Sequence, residues 1–230
     1  MFRTTHTEPS SVSFVKRLTP CVVLAASFVL VGCGGAAEAD VTIDGQLAYA
    51  CTLTDHVLEE HGTPDSWEAV IGDNANPGAR EAFAIGMLAN GSENNAFADT
   101  GASLVDGISR LDIEGLTSSL GDMQATCDDA GISSTGDVSH AGQLDYACTL
   151  AGRITEEHGA AAEWLDGDGS AAWYEVASVA GLAGAGNAQV LSEYPELSET
   201  GVDLLMNLQR NMPDELDFSL AEFETACAEL

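Results

Sequence analysis

The chain repeats itself, so whatever fold it adopts must be available to two copies of one pattern. Residues 40–62 return as residues 137–159 at a constant offset of 97, with 14 of 23 positions identical. The shared core reads Gly45-Gln46-Leu47-x-Tyr49-Ala50-Cys51-Thr52-Leu53, followed by Glu59-Glu60-His61-Gly62. Its counterpart reads Gly142-Gln143-Leu144-x-Tyr146-Ala147-Cys148-Thr149-Leu150, followed by Glu156-Glu157-His158-Gly159. Trp67 and Trp164 keep that offset. Further on, gaps move it to 100, so that Thr100-Gly101, Leu104, Arg110, Leu120 and Cys127 match Thr200-Gly201, Leu204, Arg210, Leu220 and Cys227. Two homologous units follow, residues 40–133 and 137–230, linked through 132–136. Two copies do not make an array, and two packed or tethered domains are expected rather than an open solenoid.

The pattern within each copy is helical. Leu47, Ala50, Cys51, Thr54, Val57, Leu58 and His61 advance by three and four residues, and Leu144, Ala147, Cys148, Ala151, Ile154, Thr155 and His158 do the same, which lays them along one face of a helix. Thr42 and Ser139 stand where a cap is needed, and Gly62 and Gly159 where a left-handed stop is needed. Thr63-Pro64-Asp65 opens a short helix through Trp67, with a capping side chain and proline in its first turn; residues 160–165 do so in the second copy. An alanine-rich helix follows (80–89 and 173–183), then a leucine-bearing one (101–111 and 201–210), then one ending at the last cysteine of each copy. No stretch alternates with the β-branched enrichment of strands. The expected fold class is all-α, two tandem bundles of four or five helices each.

The segment ahead of the repeats carries a separate signature. Arg3, Lys16 and Arg17 precede an apolar run, 21–31, which closes in Leu30-Val31-Gly32-Cys33 with a small residue before the cysteine. With Pro20 at its entrance, the run falls short of the ~20 residues that span a bilayer. This arrangement resembles the start of a bacterial lipoprotein precursor. The resemblance covers the first 33 residues only. It implies a signal peptide (1–32) cleaved before Cys33, a diacylglycerol on the Cys33 thiol with room for an N-acyl lipid on the same residue, and a short tether (33–39). The mature protein would then be held on the extracytoplasmic face of the cell membrane, touching the bilayer through that anchor alone. No other cofactor is implied.

On that reading the six cysteines resolve without remainder. Cys21 leaves with the signal and Cys33 takes the lipid, so each repeat keeps one pair, in its first and last helices. An oxidising envelope would turn these into the disulfides Cys51–Cys127 and Cys148–Cys227. Closing a loop of about 75 residues stabilises by roughly 4 kcal/mol in the chain-entropy model, which matters for a unit too small to bury a generous core. Four free thiols, or a redox or metal site, are the alternatives, though no Cys-x-x-Cys occurs.

Charge excludes more than it suggests. The chain carries seven basic and 37 acidic residues for a net charge of −30. Loss of the signal would leave about −32, with no lysine and only Arg80, Arg110, Arg153 and Arg210 as cations. Nucleic acid and anionic lipid head groups are disfavoured, since binding either requires basic residues that displace counterions. Schiff-base chemistry, a phosphate-loop lysine and serine–lysine nucleophile pairs are excluded from such a mature chain. An acidic surface can also simply keep a protein soluble.

The repeated Glu-Glu-His is the best chemical candidate, because imidazole and carboxylate serve both as metal ligands and as acid–base groups. Glu60, His61, Glu157 and His158 are therefore the candidate metal ligands, and no catalytic residue can be named. Position favours a structural role: both histidines continue the apolar stripe into the last turn, where an imidazole can meet end carbonyls and the helix dipole, while the glutamates point elsewhere. His56 and Glu60 have chelating spacing, but the second copy places Arg153 against Glu157, an ordinary ion pair. Asp166-Gly167-Asp168-Gly169-Ser170 looks like a calcium loop, yet the places of its required glycine and bidentate glutamate hold Ala171 and Ala177. The first copy has Asp73-Asn74-Ala75-Asn76 instead, so the segment reads as a turn. Gly184-Ala185-Gly186 lacks the third glycine and the preceding strand of a dinucleotide fingerprint. Trp67, Trp164, Tyr49 and Tyr146 recur at matched positions and read as packing.

Two functional expectations remain. The first is a non-catalytic lipoprotein that displays duplicated helical domains to another envelope protein or ligand, where tethering two units raises the effective concentration at the second contact. The alternative is an envelope hydrolase, or a cation- or small-molecule-binding protein, that uses the repeated Glu-Glu-His.

Overall fold

Each repeat opens on the helix that its apolar stripe demands. In the computed structural model, which describes residues 39–67, 76–165, 170–184 and 193–230, α1 spans Ile43–Glu60 and α5 spans His140–His158. Thr42 and Ser139 cap them by accepting from the backbone N–H groups of Gly45 and Gly142, which satisfies donors that the first turn leaves unpaired. Gly62 and Gly159 follow at φ +70° and +71°, a backbone that an L side chain would strain. Next comes a short element, a 3-10 turn Pro64–Ser66 in the first repeat and α6, Ala161–Trp164, in the second. Thr63 does not cap that turn as expected. Its hydroxyl is directed to the Asp65 carboxylate instead.

Three longer helices complete each repeat: α2 (Pro77–Asn90), α3 (Asn95–Arg110) and α4 (Ile113–Ala130) in the first, α7 (Ala171–Leu182), α8 (Pro195–Gln209) and α9 (Pro213–Cys227) in the second. α2 and α3 begin earlier than their apolar residues suggest, because Asn76 and Asn94 accept from the N–H groups of Ala79 and Ala96 and so cap them. The described residues are all-α and contain no strand. Among them, no helix is long and apolar enough to cross a membrane.

Residues 37–230 form one compact unit, so the repeats are packed rather than tethered. The contact lies between α2 and α7, each also flanked by the first helix of its repeat and by the helix that follows it. Both are rich in small residues and buried around most of their circumference, the mark of a central helix. A Cβ on Gly181 would stand 3.1 Å from Phe83 and 3.3 Å from Ala84, and one on Gly101 would stand 2.6 Å from the backbone of α2. Glycine is what lets these helices approach. The linker is strapped down as well: Thr135 N–H donates to the Thr52 hydroxyl, which donates in turn to the Thr135 carbonyl.

Both disulfides are formed, Cys51–Cys127 joining α1 to α4 and Cys148–Cys227 joining α5 to α9. Each fastens the outer helix of a repeat across its core, at Cα separations of 5.8 and 5.7 Å. The signal segment, Cys33, most of the tether and residues 68–75, 166–169 and 185–192 lie outside the described residues. They include Asp73-Asn74-Ala75, Asp166-Gly167-Asp168-Gly169 and Ala185-Gly186, so the expectations for those segments lie outside the described residues.

Candidate functional site

Two alanine-rich helices each carry one carboxylate into the interior. Glu81 on α2 is 3% exposed and Glu175 on α7 is 2% exposed. An ionised carboxylate so placed must find hydrogen bonds and positive charge, or it neutralises. The repeats supply these groups reciprocally. Gln46 on α1 donates from Nε2 to Glu175 at 2.6 Å and to the Val41 carbonyl at 3.1 Å. Gln143 on α5 donates from Nε2 to Glu81 at 2.7 Å and to the Val138 carbonyl at 3.0 Å. Each glutamine thus serves the carboxylate of the other repeat.

The cations come mainly from within a repeat. In the second, His158 Nε2 lies 2.9 Å from Glu175 Oε2 and Arg153 NH1 3.2 Å from Oε1. Arg153 also pairs with Glu157 at 2.8 Å and donates to the Val41 carbonyl. In the first, His61 Nε2 lies 3.2 Å from Glu81 Oε2, His56 Nε2 4.0 Å from Oε1, and Arg80 NH2 3.8 Å from Oε1. Arg80 reaches across the interface, donating to the carbonyls of Gly181 and Leu182 at 3.1 and 2.8 Å. Beside these clusters Tyr49 and Tyr146 stack on one another with ring centroids 3.8 Å apart and planes inclined by 6°. Burial raises both phenols, which stay neutral.

Contact with the Glu81 carboxylate raises His61 above its ordinary value, against the opposing effect of burial. Burial alone would raise Glu81, but His61, Gln143 and the Arg80 charge outweigh it and hold the carboxyl below its usual range. The site is therefore an ionised carboxylate beside imidazoles that are about a quarter exposed. Such an arrangement can hold a proton, a cation or an ion pair.

The sequence candidates divide accordingly. His61 and His158 belong to the clusters, but they meet buried carboxylates rather than the helix-end carbonyls expected of them. Glu60 and Glu157 are exposed, and Glu157 makes the expected pair with Arg153. The acid facing each histidine is Glu81 or Glu175, neither of which the sequence reading found. The signal was there: in residues 77–89, Arg80 and Glu81 are the only charged positions, and charge inside an alanine-rich helix implies buried partners. Trp67 and Trp164 pack as expected, donating from Nε1 to the carbonyls of Gly62 and Gly159.

Comparison with protein-family models, with curated proteins and with solved structures finds no match.

Two outcomes follow from this geometry. Replacing Gln46 or Gln143 by leucine removes a hydrogen bond to a buried charge and should cost about 1.5–3 kcal/mol each in urea unfolding, whereas an exposed pair such as Arg110–Asp106 should cost less than about 1 kcal/mol when broken. Stability should also depend on pH through the His61–Glu81 pair. His61 contributes fully below its unfolded value near 6.5 and loses that contribution as pH rises through its higher folded value. Glu81 contributes above 4.5 and loses that contribution as pH falls through its lower folded value. Metal-free protein should therefore be steadiest between these limits, and urea titrations of His61→Gln should lose the decline on the alkaline side.

Proposed function

We propose that the protein is a lipid-anchored lipoprotein of the cell envelope, non-catalytic, whose packed repeats present a groove to a basic, amphipathic segment of another envelope protein. The anchor rests on Leu30-Val31-Gly32-Cys33. The observation that carries the binding role is the groove between α8 and α9. Its walls bring Glu196, Glu199, Asp203 and Glu222 around Phe218, Ala221 and Ala226, over a volume of about 520 Å³.

Phe218 is 63% exposed, a large aromatic on a surface otherwise dominated by carboxylates. An aromatic anchor ringed by one sign of charge suits a partner helix with an apolar stripe and basic flanks. At the matched position of the first repeat stands Ser118, which is exposed, and only two of the four acids have acidic counterparts there, Asp99 and Asp122. The recognition surface belongs to the second repeat, with the first as its support, so two equal contacts are not invoked.

Intact mass of chain recovered from the membrane fraction should show a mature protein beginning at Cys33 with diacylglycerol attached; an uncleaved, unmodified chain contradicts the anchor. For the groove, fluorescence anisotropy with a labelled lysine-leucine amphipathic helix should show saturable binding that weakens with salt. Phe218→Ser should weaken that binding by about tenfold or more, ~1.4 kcal/mol. Equal affinity of wild type and Phe218→Ser contradicts the groove.

A further inference from the structure

We propose that the first repeat holds one divalent transition-metal ion of the zinc class between His56, His61 and Glu81, at the place where the second repeat carries its own cation, the Arg153 guanidinium. One donor atom from each of the three residues lies within 4.8 Å of the other two. Glu81 Oε2 is 3.2 Å from His61 Nε2, and Glu81 Oε1 is 4.0 Å from His56 Nε2. Donors held at ~2.0–2.2 Å around a tetrahedral ion stand roughly 3.3 Å apart. One edge of the triangle already has that length, and the other two lie within 4.8 Å.

A second feature points into the same space. Glu81 Oε2 is buried and meets the His61 imidazole at 3.2 Å as an ion pair, without the geometry of a full hydrogen bond. A buried carboxylate oxygen with no well-formed hydrogen bond has a lone pair to offer, on the side where the histidines stand. The other oxygen is fixed by Gln143 at 2.7 Å, the supporting hydrogen bond by which metal-binding carboxylates are oriented.

Comparison of the copies sharpens the assignment. The offset of 97 sets His56 opposite Arg153 and His61 opposite His158. Arg153 NH1 sits 3.2 Å from Glu175 Oε1, so a built-in cation fills the second site. In the first, that arginine is replaced by a group with a donor lone pair while the histidine and the buried glutamate are kept. Arg80 remains near, 3.8 Å from Oε1, but its NH1 is engaged by the Gly181 and Leu182 carbonyls across the interface. Its charge lowers affinity, and its NH2 pairs with Oε1 rather than with Oε2, the oxygen nearest His61. Two imidazoles with one carboxylate select a zinc-like ion over calcium or magnesium, which prefer all-oxygen sites. The chain's charge of −30 concentrates divalent cations around it.

Disulfide-intact protein stripped with chelator and titrated calorimetrically with zinc chloride should bind one zinc per chain, with calcium chloride reporting any general attraction to carboxylates. His56→Arg rebuilds the arrangement of the second repeat. It should keep the helical circular dichroism of wild type and lose more than the ~10–100-fold in zinc affinity that a supporting contact alone is worth. Should His56→Arg fail to fold, His61→Gln provides the same reading. Zinc binding no tighter than calcium binding in wild type, or wild-type affinity in the folded variant, overturns the assignment.

Discussion

Taking an ionised carboxylate out of water costs several kcal/mol unless charge and hydrogen bonds meet it in the interior. This protein buries a carboxyl group twice, at Glu81 and Glu175, on the two helices at the centre of the contact between its repeats. Neither repeat holds all the groups its own glutamate needs. Gln46 is offered to Glu175 and Gln143 to Glu81, while Arg80 spans from Glu81 to the carbonyls ending α7. Separating the repeats would leave two buried acids short of donors and would uncover the small-residue faces of α2 and α7. Packing into one unit follows from that requirement, with the hydrophobic area of the central helices as its larger driving force.

The same requirement explains where the copies have diverged. Matching polar positions are kept at Gln46 and Gln143, His61 and His158, Glu81 and Glu175, while the third partner differs: His56 and Arg80 in one repeat, Arg153 in the other. The second site is neutralised permanently by an arginine. In the first the arginine stands farther off, at 3.8 Å, and two imidazoles face the carboxylate where the proposed zinc ion would sit. On the outside the divergence runs the other way, since Phe218 and its acidic ring have no full counterpart in the first repeat.

Much of the fold was legible. The three-and-four spacing through Leu47 to His61 and its twin, the Thr42 and Ser139 caps, the Gly62 and Gly159 stops and both cysteine pairs depend on residues close in sequence or on a count that leaves no remainder. The site was less legible for two physical reasons. Glu81 and Glu175 follow segments of unequal length, so they match at an offset of 94 rather than 97, and comparison at a fixed offset passes them by. Gln46 and Gln143 were in plain view as invariant members of the repeat, but their partners sit on the opposite repeat, and helical periodicity carries no information about which other helix lies alongside. His61 and His158 were placed correctly on the inner face and assigned the wrong partner for the same reason.

Hydrogen exchange of the native protein, resolved by mass spectrometry along α2 and α7, tests most directly whether the crossed glutamine–glutamate contacts make the repeats one cooperative body. The account predicts that amides in the two helices open with the same free energy and become exposed together as urea is raised. Loss of protection in one repeat while the central helix of the other stays closed would contradict it.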